Sequence, residues 1–402
     1  MRAIILADLA DQSGGAQKVA AQSAQALAAE GVETILVIST GHGDEQRDGV
    51  RVIGLGLSDI WDLPLHKGAM AGVWNREAGR ALALKLETLR EADTIVHLHQ
   101  WTRGFSPSVF GALTRSQLPF AVTLHDYSLF CPNGVYYRFD QQSPCALAPL
   151  SLPCLAAPCD PRSALHKIVR VARTYRTRSA IARGDFDVVH VSTLGAKTAL
   201  GKLPVGVREH VIANPVSVSP VAAARISSDA CFAYIGRLTV EKGAVMAAQA
   251  AQAAKAPICF IGEGPARSEI LAACPQARML GHISPEVLNG MLAGEIRAVL
   301  APSLWPETGP LTVYEAQASG VPVIASARSG SADCIVPGET GLVVEPDAGS
   351  FANAMTALAH TAFARRMGAE AHARYWADPP TPQAHARKLA SLYGDMLVRH
   401  GV

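Results

Sequence analysis

Short β-branched runs alternate with Ala-rich helical stretches from one end of this chain to the other. A strand that pairs in parallel with its predecessor needs a crossover, and a helix is the usual one, so the rhythm dictates parallel sheets covered on both faces. In the first half the strand candidates are 2–7, 34–39, 94–99, 120–124, 188–192 and 210–213, with helical periodicity at 16–30, 76–90 and 106–115. The rhythm restarts with strands at 231–235, 258–261, 278–280, 298–301, 322–325 and 342–344, and with helices at 244–254, 266–273, 285–292 and 350–359. The expected fold class is α/β, with two doubly wound Rossmann-like domains whose strand ends face a crevice. The Pro- and Ser-rich stretch 213–220 marks the break. The domains are therefore 1–215 and 216–381, and a last periodic segment within 382–402, with no strand after it, is expected to pack back on the first.

Residues are 49% hydrophobic and 17% charged with a net charge of +2, which suits a well-packed chain and gives no reason to expect a nucleic-acid partner. The opening MRAIILAD reads as a strand and lacks the apolar core of a signal peptide. No run approaches the ~20 apolar residues of a spanning helix. The expectation is a cytoplasmic protein, in which eight cysteines do not form a disulfide framework.

Several strand ends carry chemistry. After the strand at 298–301, Glu307 falls in a loop and Glu315 on the following helix; carboxylates accept paired sugar hydroxyls, and a helix N-terminus offers N–H groups to a phosphate. In YIGRLTVEKG, Arg237 and Lys242 follow a strand within one loop, a fork and a point charge suited to a diphosphate. Gly14 and Gly15 follow the first strand, where they serve either a tight turn or a close backbone approach to phosphate.

Gly236-Arg-x4-Lys-Gly, Gly262-Glu-Gly-Pro265, Leu280-Gly-His282 and Glu307-x7-Glu315, followed by Ala-x3-Gly-Val-Pro-Val-Ile, together resemble glycosyltransferase family 4, the retaining enzymes of GT-B fold. The Gly14-Gly15 loop, Val96-His-Leu-His99 and Thr123-Leu-His-Asp-Tyr127 fall where that family has them, so the resemblance spans nearly the whole chain. It implies a hexosyltransferase that needs no metal or other cofactor. Arg237 and Lys242 would neutralise the donor diphosphate, Glu307 would hold the sugar hydroxyls and Glu315 those of the ribose. Gly281 and His282 would line the base pocket. Gly14 and Gly15 would face the diphosphate, and His125 would touch the donor sugar. Gly236, Gly264, Gly309, Leu311 and Thr312 would complete the donor site, the last two as N–H donors. Where the family has Glu-x-Phe-Gly, this chain has Glu307-Thr-Gly-Pro310, and a proline has no N–H to give. The family's Asn-Gly at the interdomain connection is Asn214-Pro215 here, a stiffer hinge.

The resemblance further implies a nucleotide-sugar donor, GDP-mannose or a UDP-hexose, and a glycan or polyprenyl-linked acceptor in polysaccharide or glycolipid synthesis. Two rivals fit a GT-B chain: a nucleotide-sugar epimerase or hydrolase, which needs its own acid–base carboxylates, and a non-catalytic binding subunit, against which Arg237, Lys242, Glu307 and Glu315 stand together. Asp185-Phe-Asp187 mimics a metal-binding pair but lies immediately before a strand, as a helix-to-strand turn does.

Two regions stay open. Cys131, Cys145, Cys154 and Cys159 lie in a Pro-rich insert, 131–161, that borders the acceptor side. Four thiols suit one structural Zn²⁺, isolated core positions or disulfides, though the spacing lacks a Cys-x2-Cys knuckle. The basic run 162–183 has Leu165, Ile168, Val169, Ala172 and Tyr175 at helical spacing opposite much of its charge. Such a helix either lies on an anionic membrane at the inner face, as a peripheral contact, or is an ordinary helix with a solvated face.

Overall fold

A computed structural model describes residues 1–9, 15–219, 221–309 and 311–401. Its chain divides into two units, Met1–Tyr136 with Ala146–Pro215 and Pro380–Val402, and Val216–Pro379 with Tyr137–Cys145.

The strands in chain order are β1 (Arg2–Ala7), β2 (Glu33–Ile38), β3 (His42–Arg47), β4 (Val50–Leu55), β5 (Thr94–Leu98) and β6 (Phe120–Leu124). There follow a two-residue hairpin, β7 (Tyr137–Arg138) and β8 (Ser143–Pro144), then β9 (Asp187–His190) and β10 (Arg208–Val211). The second unit adds β11 (Cys231–Ile235), β12 (Ile258–Ile261), β13 (Arg278–Gly281), β14 (Ile296–Ala301), β15 (Val323–Ser326) and β16 (Gly341–Val344). The helices before the break are α1 (Gly15–Ala29), α2 (Leu65–Val73), α3 (Arg76–Leu89), α4 (Ser108–Ser116), α5 (Leu152–Ala156), α6 (Ala164–Ala180) and α7 (Thr193–Ala199). After it come α8 (Ala244–Ala254), α9 (Arg267–Ala273), α10 (Pro285–Leu292), α11 (Leu311–Ala318), α12 (Ala348–Leu358), α13 (Thr361–Ala377) and α14 (Pro382–Arg399).

The first sheet has the order β10-β9-β6-β5-β1-β2-β4-β3 and is parallel except for β3, which pairs antiparallel with β4. β1 is central and buried on both faces. Ala3, Ile5 and Ala7 point one way, against Ala20, Ala24 and Leu27 of α1 and Leu389, Tyr393 and Met396 of α14. At the edge, β3 reads HGDEQR and is exposed at every position, a charged rim that discourages pairing with another chain. The second sheet, β13-β12-β11-β14-β15-β16, is parallel throughout. Phe232 and Tyr234 of β11 pack with α8 and α12, and Cys231 and Ala233 pack on the other face with Val313 and Ala316 of α11. Alanine dominates α8, the residue that loses least on entering a helix.

β3, β4, the β7–β8 hairpin, α2, α5, α7 and α13 have no counterpart among the elements expected from the sequence. The strand expected at 210–213 lies two residues earlier, as β10. Asp187 is buried and accepts hydrogen bonds from His210 (2.7 Å), Arg208 (3.2 Å) and Arg399 (2.8 and 2.9 Å), which fasten α14 to the sheet edge.

Candidate active site

In a doubly wound sheet, ligands collect at the carboxyl ends of the strands where the order reverses. In the second unit that point lies between β11 and β14, and the loops leaving these two neighbours carry the candidate charges. Gly236 follows β11 and the loop continues through exposed Arg237 to half-buried Lys242, before α8 begins. Gly243 starts that helix with φ 75°, and a Cβ there would fall 2.1 Å from the Pro302 carbonyl oxygen, so only glycine lets the two loops touch. Across the contact, the Lys242 Nζ donates to Glu307 Oε1 at 2.6 Å. The other Glu307 oxygen accepts from the Ser303 hydroxyl, and the Leu304 N–H donates to the Glu241 carbonyl at 2.9 Å.

Glu307 is fixed from its backbone as well. Its carbonyl accepts from the Gly330 N–H at 2.8 Å and its own N–H donates to Trp305 O at 2.7 Å. Burial pushes its carboxyl upward, but the Lys242 ammonium, the Ser303 hydroxyl and the more distant Arg237 charge outweigh that and hold it below the usual range. Glu307 is therefore ionised at neutral pH. Arg237 is shaped by its backbone, since the Tyr234 hydroxyl donates to its carbonyl at 2.8 Å.

The remaining donor-site candidates ring the same strand ends. Gly264 lies in the loop after β12, and Gly281 ends β13 and accepts from the Gly262 N–H at 2.8 Å. A Cβ on Gly262 would meet the Gly236 oxygen at 2.1 Å, so these strand ends close up through bare backbone. His282 is exposed beside Gly281. Leu311 and Thr312 open α11, where the first N–H groups of a helix lack intrahelical partners. Gly309 is half-buried just before them, and Pro310 lies outside the described residues. Glu315 is half-buried one turn into α11, and after burial its charge is the other cause lifting the Tyr375 hydroxyl to about 12.

In the first unit the order reverses between β1 and β5. Asp8, just past β1, has a buried carboxylate that accepts from the N–H groups of Arg103 (2.9 Å), Gly104 (2.9 Å) and Phe105 (3.1 Å). His125 follows β6, with its Nε2 3.0 Å from His99 Nδ1. His97, on the same face of β5, places Nδ1 2.6 Å from the Tyr393 hydroxyl and Nε2 2.7 Å from that of Thr123. Burial, with a smaller push from neighbouring histidines, lowers His97 and His125 to about 3 and His99 well below its ordinary value. His125 thus offers a neutral ring, which handles hydroxyls as donor and acceptor but brings no charge. Gly15 begins α1, and a Cβ built on it meets nothing within 4 Å; Gly14 lies outside the described residues.

None of the eight cysteines is in a disulfide. Cys131 Sγ lies 3.1 Å from Asn133 Oδ1, and Cys159 Sγ accepts from Lys167 Nζ at 3.0 Å. Among the described residues no three His, Cys, Asp or Glu side chains gather as a metal set.

No local sequence pattern assigns a role to Ser303, Asp8, His97 or His99. The period of two in Val96-His-Leu-His99 is the signal that was available for the histidines, since it sends both rings to one face of a strand.

The family description "Glycosyl transferase 4-like domain" matches residues 14–146, and "Glycosyl transferases group 1" matches 230–361. The chain belongs to glycosyltransferase family 4. It is 30% identical over 152 residues to a D-rhamnosyltransferase of Pseudomonas aeruginosa, covering 36% of this chain and 40% of that protein. It is 32% identical over 114 residues to a GDP-mannose-dependent alpha-mannosyltransferase of Mycolicibacterium smegmatis, covering 28% of this chain and 30% of that one. The matches thus span less than half the length of these curated relatives. In fold, the chain is similar to a sucrose-phosphate synthase of Thermosynechococcus elongatus, with TM-score 0.73, 20% identity, and 99% of this chain and 100% of that one covered. Two Rossmann-like units of GT-B type follow.

Proposed function

We propose that this glycosyltransferase moves a hexose, with retention, from a nucleotide-diphosphate sugar to an acceptor hydroxyl. The observation that carries the reading is the ion pair between Lys242 and Glu307 at the switch point of the second sheet, flanked by Arg237. Arg237 and Lys242 neutralise the diphosphate and the charge that grows on it as the glycosidic bond breaks. Glu307, kept ionised by Lys242, accepts hydrogen bonds from the sugar hydroxyls. Glu315 takes those of the ribose, and Gly281 and His282 border the base. The resemblance gives front-face attack, in which the departing phosphate oxygen receives the acceptor's proton, so no protein nucleophile is assigned and no metal enters. His125 contacts the donor sugar as a neutral ring. GDP-mannose and UDP-hexoses are the donors to try, GDP-mannose first, since the mannosyltransferase relative is named for it.

The acceptor we infer is lipid-linked and reached at a membrane surface. No described helix is long and apolar enough to cross a bilayer. On α6, however, the pattern of an ordinary surface helix is reversed. Leu165, Ile168 and Tyr175 are 53%, 64% and 63% exposed, while Lys167, Thr174 and Thr177 are buried. Apolar side chains facing outward beside Arg162, Arg176 and Arg178 suit an anionic lipid surface.

The test is release of nucleoside diphosphate from a panel of GDP- and UDP-hexoses, in chelator, with amide exchange read at Gly236–Lys242. A selective donor that protects this loop, and loses its effect in Arg237→Ala, supports the reading. No donor bound by either readout overturns it.

A further inference from the structure

A groove of about 1010 Å³ runs between α2 and α6 in the first unit. That is the upper end of the range for pockets that hold small molecules. Met70, Val73 and Trp74 line it from one side, and Ile168, Val169 and Ala172 from the other. Met70 is 72% exposed, the groove is open, and its apolar lining has no protein cover among the described residues. Lys67, Arg76 and Arg176 also line it, against the single carboxylate of Glu77, so the lining favours an anion. Trp61 and Leu65, 50% and 66% exposed, prolong the apolar surface, with the Arg162 guanidinium stacked 4.2 Å above the Trp61 ring.

Two interactions tie the groove's walls to the strand ends. Asn75, in its wall, donates from Nδ2 to the Gly104 carbonyl at 3.1 Å, and the Gly104 N–H in turn binds Asp8. On α6, Arg173 stands one residue beyond Ala172 and senses the charges of Asp126, which adjoins His125, and of Asp8. Its Nε is buried and makes no hydrogen bond, and no carboxylate lies within ion-pair distance of it among the described residues. Burial and the neighbouring Arg170 lower the guanidinium only to about 10, so it remains a cation at neutral pH. A buried cation with an unused N–H calls for an anionic oxygen.

We propose that the α2–α6 groove holds the hydrocarbon chain of a lipid-linked acceptor and that Arg173 takes the phosphate joining that chain to its sugar. The inference rests on the transferase reading and adds an acceptor subsite to it. The chain lies on Met70, Ile168 and Ala172, the phosphate meets Arg173, and the sugar reaches the strand ends beside His125. An amphiphile of this kind is recognised at both ends, and neither a free sugar phosphate nor a bare hydrocarbon satisfies both.

Farnesyl diphosphate is a short probe of that chemistry, with inorganic pyrophosphate as its head group alone. Titration of the full chain, with amide exchange to locate the site, should show farnesyl diphosphate binding at least tenfold more tightly than pyrophosphate and protecting Leu65–Val73 and Ala164–Ala180. The double variant M70E/I168E changes two exposed side chains, so folding is spared, and it should erase the tenfold preference. Arg173→Gln should weaken the lipid tenfold or more, with partial rescue in Arg173→Lys. Equal binding of the two probes, or protection confined to the loop Gly236–Lys242, would overturn the proposal. So would a double variant that releases the protein from phosphatidylglycerol vesicles when no farnesyl preference existed, because the face would then be a bilayer contact only. Donor protection at Gly236–Lys242 is read in the same experiment, so the acceptor subsite can fail while the donor site stands.

Discussion

At the switch point of the second unit an ammonium and a carboxylate lie 2.6 Å apart, whereas at that of the first the polar groups are neutral imidazoles and a carboxylate capped by three backbone N–H groups. The same topology has been furnished in two ways. One strand-end cluster works by charge, which suits a diphosphate leaving group. The other offers neutral imidazoles beside a carboxylate already satisfied by three backbone N–H groups, which suits sugar hydroxyls. The difference teaches that the role of each unit is set by which side chains follow its central strands, and not by the fold that presents them.

The sharpest way to break the contrast is to remove charge from the charged side. Glu307→Ala should lower transfer by at least about 10³, because it deletes the proposed partner of the donor sugar's hydroxyls and leaves Lys242 without its counter-charge, and turnover near that of the parent would end the proposed role. Lys242→Ala should lower kcat by about 10²–10³. It should also raise the acid limb of the pH–rate profile, since burial would then act on Glu307 with its main opposing charge gone. An unmoved limb would show that another group keeps Glu307 ionised.

The smallest effect separates the units by acid. His97, His125 and His385 have folded pKa values depressed to about 3, 3 and 4 by burial, so their neutral forms stabilise the first unit fully above pH 6.5. That contribution drains away as pH falls from 6.5 towards those values, by up to about 1.4 kcal/mol per pH unit for each ring. Glu307, also depressed, contributes fully above its ordinary value near 4.5 and loses its share only below it. At pH 5, amide exchange corrected for its intrinsic rate should therefore quicken in β1, β5 and β6 before β11 and β12. Equal quickening would erase the distinction between the two clusters.

How much of this was legible depended on whether a signal was local. Central strands such as IILA and CFAYI declare themselves by apolar runs, and Ala-rich α8 by composition. β3 did not, because an edge strand of five polar residues and a glycine, exposed throughout, has no buried face to impose a period. α2 escaped too: its sequence LHKGAMAGV has two glycines and exposes Leu65 and Met70, so neither propensity nor amphipathicity singles it out. Within the site, Arg237, Lys242 and Glu307 stood out through their spacing after strands. The pairing of Lys242 with Glu307 bridges 65 residues and depends on β11 and β14 becoming neighbours, which no local pattern encodes. The basic helix is the clearest lesson. Its periodicity was readable from Leu165 to Tyr175, but which stripe turns inward was settled by Lys167 reaching Cys159.

α14 gives the order of synthesis a particular consequence. Leu389, Tyr393 and Met396 complete the core that Ile5 and Leu27 begin, and Arg399 closes on Asp187, yet all of 216–379 is translated between them. Domains generally fold as units while the chain emerges. Here the earlier unit must wait beside the ribosome with an apolar flank uncovered while the later one folds, so it is the first begun and the last finished, and the stage at which a chaperone has most to shield.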